Sequence, residues 1–324
     1  AIAIAMGFST SVSAQDSSNV VNVVNVVNAS LDTLVVTATR SEEKIKDVPA
    51  RISIIEPQII EQSPIAALPD LLMTDAAINM VQSGGYGQTA SIFLRGTNSN
   101  QTLILRDGVR LNSATTGTAS LPFIDTTDIQ QIEVLKGPAS VLYGTDAIGG
   151  VVQLDSKTPE KNSAFVTGEI GENSTYKTLV GADLAENGFY AQIRGQHLET
   201  DGTPVKDSKN APDAAFDQTG YSAKFGVEKE KYALSLDYSE NEGNSQYDNY
   251  GAVANQDFKN EIVNIKGRVN LAPSVEVNAR VSQFKDDIDQ NDLNYLGTYD
   301  FVHSTTQEAE LYGKWQFTPS QNIL

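Results

Sequence analysis

Apolar and polar residues alternate with a period of two through the second half of the chain, which limits the folds open to it. From about residue 163, segments such as 221–228 and 263–271 place apolar residues on one side and polar residues on the other. Because successive side chains of a strand point to opposite faces, each segment predicts a β-strand with one apolar face. About eight such segments predict a mainly β fold. Lipid-facing barrel strands and a soluble β-sandwich both explain the alternation.

The composition excludes several classes of site. The chain of 324 residues has no cysteine and only two histidines, so we expect neither a disulfide framework nor a zinc, haem or other redox or organic cofactor. Its formal net charge of −18 argues against a nucleic-acid partner. No apolar run long enough for a transmembrane helix follows the N-terminus. No nucleophile lies in a pattern with a base, so we do not expect an enzyme.

The N-terminal residues have the composition of a targeting segment. Residues 1–14 are mostly small and apolar and end in Val-Ser-Ala, which predicts part of a signal peptide without its basic start. A short buried helix is the alternative. Residues 15–31 contain Asn-Val-Val repeats whose period of three matches neither a helix nor a strand, which indicates a low-complexity linker. A bacterial envelope protein is the simplest class for such a start.

A glycine-punctuated unit occupies residues 90–152. Residues 103–105 and 132–135 are short apolar strands, and Asp107-Gly108 is a turn signal. Gly149-Gly150 permits a close approach of two backbones before the next strand. Charged residues interrupt these strands, and we expect them to form ion pairs and not to catalyse: Arg95, Arg106, Asp107, Arg110, Glu133 and Lys136.

Several motifs of this unit resemble the plug domain of TonB-dependent outer-membrane receptors. They are Ile92–Asn98, Asp107–Asn112 and Gly144–Val152, and Gly84–Gln88 with Ile92–Asn98 most resembles the vitamin B12 (cobalamin) receptor subfamily. The resemblance implies an N-terminal α+β plug over residues 39–160. It also implies that residues 161–324 form the first part of a transmembrane antiparallel β-barrel, about eight of an expected twenty-two strands. The resemblance therefore implies that the chain is truncated within the barrel.

A β-prone segment lies just ahead of this unit. By itself it is either a segment free to pair with the sheet edge of another protein or the first strand of the plug. It resembles the TonB box, which the family presents to the energy-transducing protein TonB, and its residues are Asp32, Thr33, Leu34, Val35, Val36, Thr37 and Ala38.

The resemblance also implies a ligand site in polar loops of the plug. Glycine-rich loops bring backbone groups against a ligand, and loops commonly carry function. The residues implied are Ser83, Tyr86, Gln88, Asn98, Asn112, Thr115 and Thr116.

Acidic loops of the second half suggest calcium, a hard cation that takes six to eight oxygen ligands. Calcium orders neighbouring extracellular loops in the cobalamin receptors, and the matching residues here are Gln88, Asp217, Tyr247, Asp248 and Asp257. Thr219 stands where the family has a second aspartate, which weakens a two-calcium site. Solvated acidic loops are the alternative, and we interpret Asp286–Asp292 in this way.

These resemblances imply TonB-dependent active transport of cobalamin across the outer membrane. The implied partners are TonB, a large scarce ligand and outer-membrane lipid. A ferric siderophore or haem receptor of the same family is one alternative. A non-transporting binding protein of the envelope is another.

Overall fold

A computed structural model of the protein describes residues 2–5, 34–35, 43–44, 48, 51–63, 67–75, 77–204, 213–249, 252–291, 299–318 and 321–323. The strands are β1 (Ile2–Ala5), β2 (Leu34–Val35), β3 (Glu43–Lys44), β4 (Ile52–Ile55), β5 (Ile78–Gln82), β6 (Ala90–Leu94), β7 (Thr102–Arg106), β8 (Val109–Arg110), β9 (Ile129–Lys136), β10 (Gly150–Ser156), β11 (Ser163–Ile170), β12 (Tyr176–Glu186), β13 (Phe189–Thr200), β14 (Phe216–Glu228), β15 (Tyr232–Asn249), β16 (Ala252–Ala272), β17 (Val275–Asn291), β18 (Tyr299–Thr318) and β19 (Gln321–Ile323). The helices are α1 (Pro57–Gln62), α2 (Leu68–Leu72) and α3 (Ser140–Tyr143).

The N-terminal α+β part, which we call the inner domain, is built on a five-stranded mixed sheet. Its strand order is β4-β9-β10-β7-β8, and only the β10–β7 pair is parallel. Strand β7 is buried at every residue, because apolar clusters cover both faces of the sheet. Leu72, Leu94 and Leu154 belong to one cluster, and Leu103 and Val151 belong to the other. Strands β5 and β6 form a separate hairpin beside this sheet.

The eight antiparallel strands β11–β18 form what we call the wall sheet, and this confirms the predicted strand count. Alternation sorts its side chains by face. Ile193, Phe225 and Ile265 are about half exposed on the outer face, whereas Gln192 and Asn264 are buried against the inner domain. The short strands β1 and β19 pair with the two edges of this sheet. The fold is therefore mainly β, with an α+β domain followed by strands apolar on their outer face.

Two acidic segments that we interpreted as loops are strand residues instead. Residues 247–249 and 252–257 extend β15 and β16 up to their connection. Asp286 lies in β17 and is buried, where its carboxylate accepts hydrogen bonds from Ser120 Oγ at 2.9 Å and Asn260 Nδ2 at 2.6 Å. These strand ends keep a buried inner face, on which Ala254 and Asp286 lie.

The N-terminal segment is described only in part. Residues 2–5 form β1, while the rest of the predicted signal peptide and the linker lie outside the described residues. Among the helices described, none has both the length and the apolar character needed to cross a membrane.

Replacing Gly150 with alanine should destabilise the inner domain. A Cβ atom there would lie 2.2 Å from the backbone oxygen of Leu135 and 2.9 Å from Leu94 Cδ1, so two strands must separate. We expect a loss of about 2 kcal/mol in the free energy of unfolding, measured by urea denaturation. Gly168→Ala in β11 is the control, since no atom lies within 4 Å of its Cβ position. Equal losses in both variants would contradict this explanation.

Candidate functional site

The turn between β7 and β8 carries a carboxylate into the wall sheet. Asp107 and Gly108 both have positive φ angles, of 50° and 86°, as the predicted turn requires. Asp107 Oδ1 lies 3.5 Å from Lys266 Nζ of β16, and Asp107 Oδ2 accepts a hydrogen bond from Ser156 Oγ at 2.5 Å. Asn264 Nδ2 donates to the backbone oxygen of Asp107 at 3.3 Å. The inner domain is thus tied to the wall at the tip of a tight turn.

Further charges surround this turn and balance one another. Lys224 Nζ donates to Ser156 Oγ at 2.5 Å and lies 3.4 Å from Asp237 Oδ1. Arg106 pairs with Asp128 at 2.5 Å inside the inner domain. We call this group the charge cluster, and its three cations and three carboxylates are Arg106, Lys224, Lys266, Asp107, Asp128 and Asp237.

The ion pairs follow the expectation from sequence in part. Asp107 pairs with Lys266 of the wall, and Arg110 lies 3.5 Å from Glu308 of β18 as well as pairing with Asp146 of its own domain. Lys136 pairs with Asp75 within the inner domain at 3.0 Å. Both internal and wall-directed pairs therefore neutralise the charges on these strands.

Neighbouring charges set the protonation of the cluster. Burial alone would raise the pKa of the Asp107 carboxyl, but Lys266, Lys224, the Ser156 hydroxyl and Arg106 outweigh it and hold that pKa below its usual range. For Asp128, burial outweighs the attraction of Arg106 and raises the pKa. Of the three carboxylates in the charge cluster, Asp107 is therefore the one whose ionised form the surroundings favour.

A second contact joins the wall to the loop between β5 and β6. The ring of Tyr86 stacks on Phe216 of β14 with centroids 6.3 Å apart. Ser245 Oγ donates to the backbone oxygen of Gly87 at 3.0 Å, and Gln88 Nε2 donates to the backbone oxygen of Gln246 at 2.6 Å. A Cβ atom at Gly87, whose φ is +69°, would lie 2.4 Å from Phe216 Cδ2. Only glycine therefore fits between this loop and the wall.

The predicted ligand residues fall into two groups. Ser83, Asn98, Thr115 and Thr116 are exposed, whereas Gln88 and Asn112 are buried and Tyr86 is half-buried. The amide of Asn112 is bonded inside the inner domain, donating to the backbone oxygens of Thr102 and Gly117 and accepting from Ile104 N. The structure therefore places the exposed group at the surface of the loops and the buried group in contacts that shape them.

The predicted calcium residues are not all brought together. Phe216 and Phe258 face the inner domain, so their neighbours Asp217 and Asp257 point to the outer face of the wall. Gln88 lies on the inner side, and Tyr247 and Asp248 lie at the end of β15. Within the described ranges, no group of three His, Asp or Glu residues is placed to hold a metal ion. The described geometry therefore does not fit a single site made of all five residues.

Only two residues of the predicted TonB box are described. Leu34–Val35 pairs with Glu43–Lys44 in a two-stranded sheet, and Val35 is buried against Val48 and Ile54. Asp32, Thr33, Val36, Thr37 and Ala38 lie outside the described residues. The β-prone character expected of this segment is seen at its centre.

Comparison with known proteins assigns the inner domain. The family named TonB-dependent Receptor Plug Domain matches residues 44–151. The chain is 36% identical over 197 residues to the vitamin B12 transporter BtuB of Vibrio vulnificus, covering 60% of this chain and 32% of that protein. It is 34% identical over 233 residues to BtuB of Photobacterium profundum, covering 69% and 38%.

The chain belongs to the TonB-dependent receptors. Like them, this TonB-dependent receptor has a plug, which is the inner domain. It spans about a third of the length of the BtuB relatives. Its structure resembles the copper transporter OprC with a TM-score of 0.70 at 19% identity, covering 82% of this chain and 43% of OprC. It resembles the siderophore receptor PiuA from Acinetobacter baumannii with a TM-score of 0.65 at 19% identity, covering 86% and 44%. At these identities the structures support the fold alone.

Sequence reasoning missed the wall residues of this TonB-dependent receptor that hold its plug. Lys224 and Lys266 lie on the polar faces of β14 and β16, so alternation alone could have placed them on the inner face. Their partner Asp107 lies more than a hundred residues earlier, and only the register of the folded sheet brings it to them. Phe216 and Phe258 were missed because the polar residues around them predict loops.

Replacing Asp107 with asparagine should weaken the plug–wall contact in a pH-dependent way. The folded pKa lies below the ordinary value of 3.8, so the carboxylate stabilises fully above that value and its contribution is lost as the pH falls through the folded pKa. We expect a loss of about 3 kcal/mol at pH 7 that shrinks toward pH 2. The charged groups facing this carboxylate are Arg106, Lys224, Lys266, Asp128, Asp155 and Asp237.

Urea denaturation of the detergent-purified protein from pH 2 to pH 7 measures this difference between wild type and variant. Burial raises the pKa values of Asp128 and Asp155, and the charge of Asp107 adds to both shifts. These shifts act in the opposite direction, and the variant removes the part that is due to Asp107, so the difference at pH 7 becomes smaller but keeps its direction. Asp201→Asn, at an exposed aspartate, is the control and should change little. A difference that stays constant with pH would rule out the carboxylate charge as its source.

Proposed function

We propose that this protein is a TonB-dependent transporter that takes up cobalamin across the bacterial outer membrane. The observation that carries the proposal is the 34–49% identity to proteins named vitamin B12 transporters. The exposed tip of the loop, Ser83–Gly85, supports it, because this polar backbone is open to a ligand. No bond of the ligand is made or broken, so the function needs no catalytic residue.

Transport in this proposal requires the plug to move relative to the wall. The ligand binds at the exposed loops, and TonB pairs with the segment at residues 32–38 and pulls on the plug. The resisting contacts include Asp107 with Lys266 and Arg110 with Glu308. Separating a buried ion pair leaves charges that need a new partner or water, so movement and hydration of this contact are linked.

A siderophore receptor is the second candidate. PiuA, which shares the fold, is named a siderophore receptor, and OprC is named a copper transporter. Receptors for different ligands therefore share this architecture, and the fold alone does not choose among them. The sequence identity to vitamin B12 transporters is what favours cobalamin.

Calorimetric titration of the detergent-purified protein with cyanocobalamin tests the proposed ligand. We expect saturable binding in a one-to-one ratio. A ferric siderophore and haem serve as competing ligands in the same assay. If the protein binds a siderophore or haem and does not bind cyanocobalamin, the proposed ligand is wrong. The proposed transport mechanism would still stand.

The same titration with calcium and with a chelator tests the calcium prediction. If calcium gathers the acidic strand ends around Asp217 and Asp257, it should tighten cyanocobalamin binding, and the double variant Asp217→Asn/Asp257→Asn should abolish that gain. These carboxylates already share Asn244, which donates to Asp257 at 2.8 Å and pairs in register with Asp217. Equal affinity for cyanocobalamin in calcium and in chelator would contradict the calcium prediction and leave the cobalamin proposal in place.

Replacing Val35 with proline should abolish uptake, and retained binding of cyanocobalamin separates this loss from disruption of the packing of Val35 against Val48 and Ile54. Proline lacks the backbone N–H that a paired strand donates, so the segment cannot form a regular ladder with TonB. Val35→Ile, which keeps a β-branched side chain, is the control. Uptake of radiolabelled cyanocobalamin by cells and binding to isolated membranes measure the two properties. Normal uptake by the proline variant would exclude TonB pairing through this segment.

A further inference from the structure

Four aromatic rings form a continuous stack, in which two rings of the wall lie between two rings of the inner domain. Tyr86 of the loop stacks on Phe216 of β14 at 6.3 Å, and Phe216 stacks on Phe258 of β16 at 5.8 Å. Phe258 stacks on Phe123 of the inner domain at 4.1 Å. The interplanar angles are 19°, 7° and 7°, so the rings are close to parallel. Two separate segments of the inner domain are therefore joined through two strands of the wall.

Glycines at two positions make room for this stack. Strand β15 runs between β14 and β16, and its residue Gly243 lies beneath the stack. A Cβ atom at Gly243 would lie 2.0 Å from the backbone oxygen of Asp217 and 2.9 Å from Phe258 Cζ. Glycine here therefore permits the close approach of β14 and also leaves room for the Phe258 ring beside it. Gly87 leaves similar space beside Phe216 on the loop side. The stack therefore depends on small residues on both sides of the domain boundary.

Hydrogen bonds fix both ends of the stack to the same part of the wall. At the loop end, Ser245 and Gln246 of β15 bond to Gly87 and Gln88. At the other end, Gln218 Nε2 of β14 donates to the backbone oxygen of Phe123 at 3.0 Å. These bonds limit sliding of the rings, so the loop can leave the wall only by breaking the stack.

We propose that Tyr86, Phe216, Phe258 and Phe123 form an aromatic clasp that holds the exposed tip Ser83–Gly85 in its ligand-binding position. Tyr86 is then a positioning residue that acts through its ring. The clasp also couples the tip to Phe123, which lies in the segment that leads into β9. The positioning role rests on the proposed ligand-binding function, whereas the clasp itself can be tested without any ligand.

Hydrogen–deuterium exchange of residues 83–88 in the ligand-free, detergent-purified protein tests the clasp. Phe258→Leu and Phe123→Leu should each raise exchange in this segment about two- to tenfold, the range that the loss of an aromatic pair corresponds to. Phe123 is separated from Tyr86 by two rings, so we expect an effect of Phe123→Leu on the loop to pass through the stack. Phe284→Leu is the matched control, because Phe284 is buried on the inner face of β17 in a different apolar cluster. Unchanged exchange in Phe258→Leu, or an equal rise in Phe284→Leu, would overturn the clasp.

Two substitutions of Tyr86 separate positioning from ligand contact. Tyr86→Phe keeps the ring and should keep both slow exchange and wild-type affinity for cyanocobalamin. Tyr86→Leu should raise exchange and weaken binding by a similar factor. Weak binding by Tyr86→Phe with normal exchange would show that the hydroxyl contacts the ligand, which would overturn the positioning role.

Hydrogen exchange and cyanocobalamin binding test the clasp and the proposed ligand independently. If the wild type does not bind cyanocobalamin, the proposed ligand fails, and the exchange data still decide whether the clasp exists. If the wild type binds and Phe258→Leu changes neither exchange nor affinity, the clasp fails and the proposed transport function stands.

Discussion

Charges at the surface of the inner domain meet opposite charges of the wall sheet in matching places, and the rest of the contact depends on this match. Asp107 is carried out on a tight turn between Lys266 and Ser156, and Lys224 closes the group from a second strand. Taking these groups out of water costs free energy that the pairing largely offsets, so the cluster contributes less to stability than its contacts suggest. Its main effect is on placement. In any other orientation of the inner domain, buried charges would be left without partners.

The same requirement explains why each wall strand carries two kinds of residue. Toward the inner domain, the strands present polar residues such as Gln192, Lys224 and Asn264. Lys224 and Asn264 bond to Ser156 and Asp107 across the contact, and Gln192 bonds to Asp183 within the wall. On the other face, alternate residues such as Ile193, Phe225 and Ile265 are apolar and about half exposed. A single sheet therefore meets two different environments, and the period of two in the sequence records that difference. The alternation is a consequence of what lies on each side of the sheet.

That physical origin also separates what could be predicted from what could not. The eight strands and the Asp107-Gly108 turn were predicted, because periodicity and turn residues are local signals. The ends of β15 and β16 were taken for loops, because the outer face there turns acidic and the apolar half of the pattern disappears. Asp286 was taken for a solvated residue, although β17 turns it inward to Ser120 and Asn260. The partners of Asp107 and Tyr86 lie on strands far along the chain, and their meeting depends on sheet register.

The aromatic clasp and the charge cluster differ in how they respond to displacement of the inner domain. Stacked rings attract one another only at short range, so a small movement of the loop away from Phe216 forfeits most of that attraction. Charge pairs act over longer distances, and in a wet gap they regain hydration as they separate. The attraction at the aromatic contact is therefore lost over a short displacement, whereas the attraction within the charge cluster falls gradually with distance. Under the proposed function, this contrast lets a ligand at the loop affect the aromatic contact without disturbing the ion pairs that keep the inner domain in register with the wall.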